Sequence, residues 1–176
     1  MEWMLMPLKR YADFSGRSRR MEFWMWQVFK FLIIIAFYVL LFAVAGTALM
    51  TAGQNPSGIM AVGGAALIIW LLMMIFFLAI LIPDIAVAVR RLHDTNRSGW
   101  WILAPIAPYL LVILGGVMAA SSPDAPGLGG ILVILGMVGV FGLGLMLLVF
   151  YFLEGTRGPN QYGPDPKGAD PEKVFA

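Results

Sequence analysis

Four long apolar runs separated by short polar stretches organise this chain. Phe31 to Met50 is 20 residues without a charge, Ile59 to Ile82 is 24, Trp100 to Ala120 is 21 and Ile131 to Leu153 is 23. As a helix, each is long enough to cross a hydrocarbon core about 30 Å thick, which takes about 20 residues. The flanks lengthen them. Trp24 and Trp26 stand where an interfacial aromatic belt belongs, and Ile85 to Val89 carries the second helix on towards Arg90. The pattern predicts an all-α membrane protein, a four-transmembrane-helix bundle with spans at about 23–50, 59–89, 100–120 and 130–153. A membrane domain over 23–153 is then preceded by an amphipathic segment, 1–22, and followed by a Gly/Pro-rich tail, 154–176.

The breaks are as informative as the runs. Trp3, Leu5, Leu8, Tyr11 and Phe14 alternate with Lys9, Arg10 and Arg17 in a segment suited to the headgroup layer. Ser15-Gly16 interrupts it, and Ser18 is placed to cap the helix that follows. Thr51 to Gly58 and Ser121 to Gly130 read as loops. Pro83 is predicted to bend or end the second helix, because proline lacks an amide donor and clashes with the preceding turn. Pro105 and Pro108 predict an irregular start to the third. Gly136, Gly139 and Gly142 form a small-residue stripe that lets a neighbouring helix approach, with a substrate path as the sharper alternative. The tail from Glu154 has too much glycine and proline for a helix; its start is expected to order against the bundle, beside the amino-terminal and central motifs, and its end to fray. Ser18-Arg19-Arg20-Met21-Glu22-Phe23 resembles a twin-arginine signal, but Glu22 falls where the apolar part should begin. Ala43-Val44-Ala45 lies too late in too long a run for a signal-peptide cleavage site.

Composition agrees: 60% of the 176 residues are hydrophobic and 12% charged, far from the balance of a soluble domain. A net charge of +2 carries no argument for nucleic acid as a partner, and none is expected. Without cysteine, and with a single histidine, thiolate chemistry is excluded and no metal or other cofactor is expected. The placement of charge says more than its sum. All twelve lysines and arginines fall in residues 1–30, 90–97 or 157–173, and neither loop between has one. The positive-inside rule then sets both termini in the cytoplasm of a bacterial inner-membrane, multi-pass protein.

The candidate chemistry lies between the second and third runs, in Arg90-Arg91-Leu92-His93-Asp94-Thr95-Asn96-Arg97-Ser98-Gly99-Trp100-Trp101. Arg90, His93 and Asp94 share a helix face if the helix continues, so Asp94 could pair with Arg90 or Arg97 or orient His93. Charge beside lipid is costly unpaired. A charge cluster of Glu22, Arg90, Arg91, His93, Asp94 and Arg97 is therefore expected, with Glu22–Arg90 or Glu22–Arg91 and Asp94–Arg97 as the pairs. A headgroup site is the other reading, its candidates being Arg17, Arg19, Arg20, Arg90, Arg91 and Arg97, because guanidinium forks suit phosphate oxygens. No nucleophile or second histidine completes a catalytic set, and no catalytic residue is assigned.

Phe14-Ser15-Gly16-Arg17-Ser18-Arg19-Arg20-Met21-Glu22-Phe23-Trp24 resembles the amino-terminal signature of the YhaH/YhaI-like (DUF805) family of bacterial inner-membrane proteins. Arg90-Arg91-Leu92-His93-Asp94 with Ser98-Gly99-Trp100-Trp101 resembles its central motif. Gly155-Thr156-Arg157-Gly158-Pro159-Asn160-Gln161-Tyr162-Gly163-Pro164-Asp165-Pro166 resembles its closing motif. The chain differs in its long Ala/Gly-rich outer loops and in Asp84 after Pro83. The resemblance implies a small multi-spanning inner-membrane protein and brings no catalytic residues.

The expected function is a non-enzymatic membrane module whose inner face binds anionic lipid headgroups or a protein partner, a second copy of the chain included. A small-solute transporter or channel stays open, with a path lined by backbone near Pro83 and Pro105. So does a membrane enzyme acting on a lipid phosphate through His93 and Asp94.

Overall fold

The computed structural model describes residues 2–51, 56–121 and 127–168. The elements are α1 (Glu2–Lys9), α2 (Arg20–Thr51), α3 (Pro56–Asp94), a 3-10 turn (Gly99–Leu103), α4 (Ile106–Ser121) and α5 (Gly127–Phe152). The fold is all-helical, with one isolated bridge, Asn160–Gly163, among the described residues. Four stretches are long and apolar enough to cross a membrane: Arg20–Thr47, Met60–Asp94, Gly99–Ser121 and Gly127–Phe152. Of the two loops predicted at Thr51 to Gly58 and Ser121 to Gly130, residues 52–55 and 122–126 lie outside the described residues, as does the fraying expected past Gly168, and the remainder of each belongs to the flanking helices.

The chain divides into two compact units. The first comprises Met1–Asp13 and Met21–Val87, hence α1 with most of α2 and α3. At 1.5 Å per residue α2 is about 48 Å long and α3 about 58 Å, well over the hydrocarbon thickness of about 30 Å. Both helices must therefore run on beyond the bilayer core. Burial follows that division. Phe42 and Met60 are 74% and 80% exposed, as lipid-facing residues should be, whereas Phe23, Trp26, Ile80, Ala86 and Val87 are buried. Dense packing belongs to the start of α2 and the end of α3. Further along, Phe37 and Phe76 meet with ring centroids 6.0 Å apart.

α3 does not end at Pro83 but continues through it to Asp94, as the run from Ile85 to Val89 predicts. Proline leaves the carbonyl four residues back without its helical donor. That carbonyl is Ala79, and the Tyr11 hydroxyl donates to it at 2.5 Å. The amino-terminal segment thus supplies the hydrogen bond that proline removes, the kind of repair a helix in lipid requires. One residue on, Asp84 accepts from Trp26 Nε1 at 2.9 Å and from the Lys30 ammonium, which ties α2 to α3.

The second unit comprises Phe14–Arg20 and Ala88–Ala176. Here α4 and α5 pack backbone to backbone. A Cβ on Gly115 would lie 2.6 Å from the Gly129 carbonyl, and one on Gly136 would lie 2.7 Å from that of Pro108. Gly139 also meets Pro108, while Gly142 faces open space. Two members of the predicted stripe are thus packing positions, and Gly115 and Gly129 extend the contact. The irregular start of the third span is the 3-10 turn, where the Ser98 hydroxyl accepts the Trp100 amide at 3.4 Å. Ser18 is not the cap of α2, which begins at Arg20; its own amide donates to the Arg90 carbonyl at 3.1 Å.

Tyr11→Phe is expected to destabilise the protein by about 1 kcal/mol, the typical net worth of one intramolecular hydrogen bond. In a Pro83→Ala background, where the amide returns, the same change should cost close to nothing. Detergent-solubilised unfolding of the four proteins measures this double-mutant cycle.

Candidate functional site

The site grows from the way α3 stops. Asn96 adopts φ 58°, the left-handed conformation that asparagine tolerates better than most residues. The Asn96 amide donates to the His93 carbonyl at 2.9 Å and the Arg97 amide to that of Leu92 at 3.0 Å. These two bonds form a Schellman motif, closing carbonyls that a helix end otherwise leaves open. Gly99 follows where a Cβ would lie 2.6 Å from Val89 Cγ1, so the chain turns close against α3.

Asp94, the last residue of α3, is 5% exposed and stands between two arginines. Arg17 approaches Oδ1 with Nε at 3.0 Å and Nη2 at 2.9 Å, and Arg91 donates to Oδ2 through Nη1. Neither guanidinium ends there. Arg17 donates to the carbonyls of Gly158 at 2.6 Å and Thr156 at 2.5 Å. Arg91 donates to the carbonyls of Tyr151 at 3.2 Å and Leu153, at the end of α5. Arg20 adds a bond to Phe152 at 3.4 Å and pairs with Glu154 at 3.4 Å. Cationic donors thus satisfy the terminal carbonyls of α5 and favour the negative end of its dipole.

The tail folds onto the same carboxylate. The Thr156 amide donates to the Asp94 carbonyl at 2.9 Å, and Asn160 Nδ2 donates to the His93 carbonyl at 2.9 Å. A Cβ on Gly155 would overlap the Asp94 carboxylate, which explains a glycine there. Asp165 accepts the Lys167 amide at 2.8 Å and the Gly158 amide at 3.0 Å. The Lys167 amide, joined by that of Gly158, holds the Asp165 carboxyl below the usual carboxylate range. Arg19 donates to the Pro166 carbonyl through Nε at 2.5 Å. A small cleft of about 90 Å³ is left among Arg19, Asp94, Glu154, Arg157, Asp165 and Lys167, three acids matched by three bases.

Arg17, Arg91, His93 and Asp94 are therefore brought together, and Asp94 takes partners other than the one expected. The Asp94–Arg97 pair does not form. Asp94 is committed to Arg17 and Arg91, and the Arg97 guanidinium lies 4.0 Å over the Phe150 ring in a cation–π contact. Asp94 does not orient His93 either. The imidazole stacks on Tyr162 with centroids 3.8 Å apart, and its Nδ1 lies 3.2 Å from the Gly16 carbonyl, an acceptor. Glu22, Arg90 and Arg91 are 3%, 0% and 0% exposed. Of the six headgroup candidates, Arg17, Arg90 and Arg91 are thus withdrawn from any surface, leaving Arg19, Arg20 and Arg97 partly exposed. Among the described residues no group of three His, Asp or Glu side chains could hold a metal.

The segments that meet at Asp94 lie within a stretch that is similar to known proteins throughout. Residues 11–164 match the family described as "Protein of unknown function (DUF805)". The chain belongs to the DUF805 family. It is 34% identical to inner membrane protein YhaI of Escherichia coli K12 across 95% of this chain and 97% of that one. Inner membrane protein YhaH of the same strain is 30% identical across 95% and 98%, and the uncharacterized protein YiiR is 29% identical across 87% and 85%. No solved structure matches. With four helices long enough to span, this DUF805 protein is a multi-pass inner-membrane protein.

The start of the tail was expected at this site; what residue-by-residue reasoning missed is Arg17 as the partner of Asp94, and that Thr156, Asn160 and Tyr162 are the tail residues that cover it. The closing motif of the DUF805 family was the signal available for the tail.

Asp94→Ala should leave two buried guanidinium groups without their counter-charge and destabilise the protein by about 3–5 kcal/mol. Arg17→Lys should recover little of what Arg17→Ala loses, since an ammonium has no fork to hold Asp94, Thr156 and Gly158 together. Thermal unfolding in detergent measures both. The Asp165 contribution to tail docking has a definite sign. Its lowered pKa makes that contribution complete above the ordinary aspartate pKa of about 3.9 and lost as pH falls through the lower folded value. Amide exchange at Gly158 and Lys167 should accelerate in that acid window, and Asp165→Asn should abolish the pH dependence.

Proposed function

We propose that the protein is a non-enzymatic four-span membrane module, with both termini cytoplasmic, whose cytoplasmic face binds anionic lipid headgroups. The observation that carries this reading is the confinement of every lysine and arginine to residues 1–30, 90–97 and 157–173. An excess of basic residues marks the cytoplasmic loops of inner-membrane proteins. Anionic lipids of that leaflet attract each exposed basic group by about 1 kcal/mol. The arginines that serve are Arg19, Arg20 and Arg97, each partly exposed.

Two observations favour a binding module over the other readings. Both carboxylate oxygens of Asp94 are occupied by arginine, and the carboxylate does not hold the His93 ring, which argues against a His–Asp base. The second span, α3, stays helical through Pro83 and its freed Ala79 carbonyl accepts from Tyr11, which weighs against a backbone-lined transport path there.

Alkaline phosphatase fused to the carboxy terminus should be inactive, and an active fusion would overturn the topology. In native mass spectrometry the wild type should retain phosphatidylglycerol over phosphatidylcholine. Arg19→Gln, Arg20→Gln and Arg97→Gln should each lower that retention by about fivefold, the equivalent of about 1 kcal/mol. Equal retention of the two lipids, unmoved by all three changes, would overturn lipid binding and leave a protein partner as the ligand of this face.

A further inference from the structure

We propose that Lys30, Asp84 and Trp26 form a separate site for a zwitterionic phospholipid headgroup bearing a primary ammonium, as in phosphatidylethanolamine. All three residues belong to the first unit, away from the Asp94 cluster in sequence and in function. Lys30 stands immediately before the uncharged run that starts at Phe31, and Asp84 stands two residues after the run that ends at Ile82. The pair therefore marks the level where hydrocarbon gives way to headgroups on both α2 and α3. Phe31, Ile82 and Ile85, adjacent in sequence, are 62%, 42% and 38% exposed, an apolar surface that only lipid would cover in a membrane.

The bonding within the pair is lopsided. Trp26 Nε1, on a fully buried side chain, donates to Oδ1 of Asp84 at 2.9 Å, and the Lys30 ammonium donates to that same Oδ1. Oδ2 takes no donor among the described residues, and the carboxylate is 37% exposed. Lys30 has three N–H donors and spends one on Asp84. An ion pair at the membrane surface, its lysine side chain 15% exposed and its carboxylate 37%, thus offers one unused anionic acceptor beside two unused cationic donors. The complement is a headgroup with the same two charges in reverse: a phosphate to accept from Lys30 and an ammonium to donate to Oδ2.

Charge and donor count narrow the ligand. Lys30 and Asp84 sum to zero, so a headgroup with net negative charge gains from the lysine what it loses to the carboxylate. A quaternary ammonium carries the right charge but no N–H to give. A primary ammonium meets both requirements. Water could occupy the same valences in detergent, and for this reason the test rests on discrimination between headgroups and not on binding as such.

The experiment is native mass spectrometry of the full chain with phospholipids of identical acyl chains. Phosphatidylethanolamine should be retained about tenfold over phosphatidylcholine, the worth of one charge-assisted hydrogen bond. Along the series of mono-, di- and trimethylated ethanolamine lipids, retention should fall most sharply when the last N–H is lost. Asp84→Asn, which keeps an oxygen for Trp26, should erase that discrimination without lowering phosphatidylglycerol retention. Arg20→Gln should do the converse, so this proposal and the anionic surface succeed or fail separately. Equal retention of ethanolamine and choline lipids by the wild type would overturn the proposal, as would discrimination that survives in Asp84→Asn. Should Asp84→Asn fail to fold, as judged by its thermal unfolding, the methylation series on the wild type alone decides.

Discussion

The carboxylate of Asp94, shared between Arg17 and Arg91, is the interaction on which the second unit depends. It joins chain segments 77 residues apart on one side, Arg17 to Asp94, and through Arg91 reaches the end of α5 about 60 residues further on. Such a buried cluster adds little net stability, because desolvating three charges offsets much of their attraction. Its effect is selective. With any one member missing the others are stranded, so only the arrangement that brings all three together avoids a large penalty. The hydrogen bonds from the two guanidinium groups to the carbonyls of residues 151, 153, 156 and 158 extend that condition to the tail. A Gly/Pro-rich segment with no helix or sheet of its own is thereby given fixed partners.

This explains why a motif dense in reactive side chains need not be a reactive site. Histidine beside aspartate at a helix end suggests a base and its orienter, and arginines nearby suggest an anion. In the folded chain the aspartate is occupied by arginine, one imidazole nitrogen meets a backbone carbonyl and the ring is covered by Tyr162. Polarity here is spent on joining segments where a membrane forbids leaving charge unanswered.

How much of this was legible in the sequence depended on the range of the interaction. The apolar runs and their lengths are local properties, and the four long helices follow from them. The small-residue stripe was visible at Gly136 and Gly139, and the contribution of Gly115 and Gly129 was hidden because they lie on two different helices. The choice of partner for Asp94 was not legible. Arg97 is three residues away and Arg17 is 77, and nothing local tells that the Schellman turn at Asn96 carries Arg97 off towards Phe150. How α3 continues past Pro83 was not legible for the same reason: the hydroxyl that answers the freed Ala79 carbonyl comes from Tyr11, 68 residues before it.

Pro83 and Asp84 together show how a membrane helix can carry two costly residues in succession. Proline frees a carbonyl, and aspartate brings a charge to the edge of the hydrocarbon. Each is answered from a different quarter, the carbonyl of Ala79 by Tyr11 and the carboxylate by Trp26 and Lys30 of α2. Neither answer would serve for the other. A neutral hydroxyl suffices for one carbonyl, but a carboxylate at that depth needs a cation, and the cation must itself be held near water. Lys30 meets this condition because it is the last charge before the uncharged run of α2, so its stem can lie along the apolar surface while its ammonium stays at the headgroup level. The register between α2 and α3 follows from that requirement: sliding one helix past the other by a turn, about 5.4 Å, would leave either Asp84 or Lys30 facing lipid without its partner.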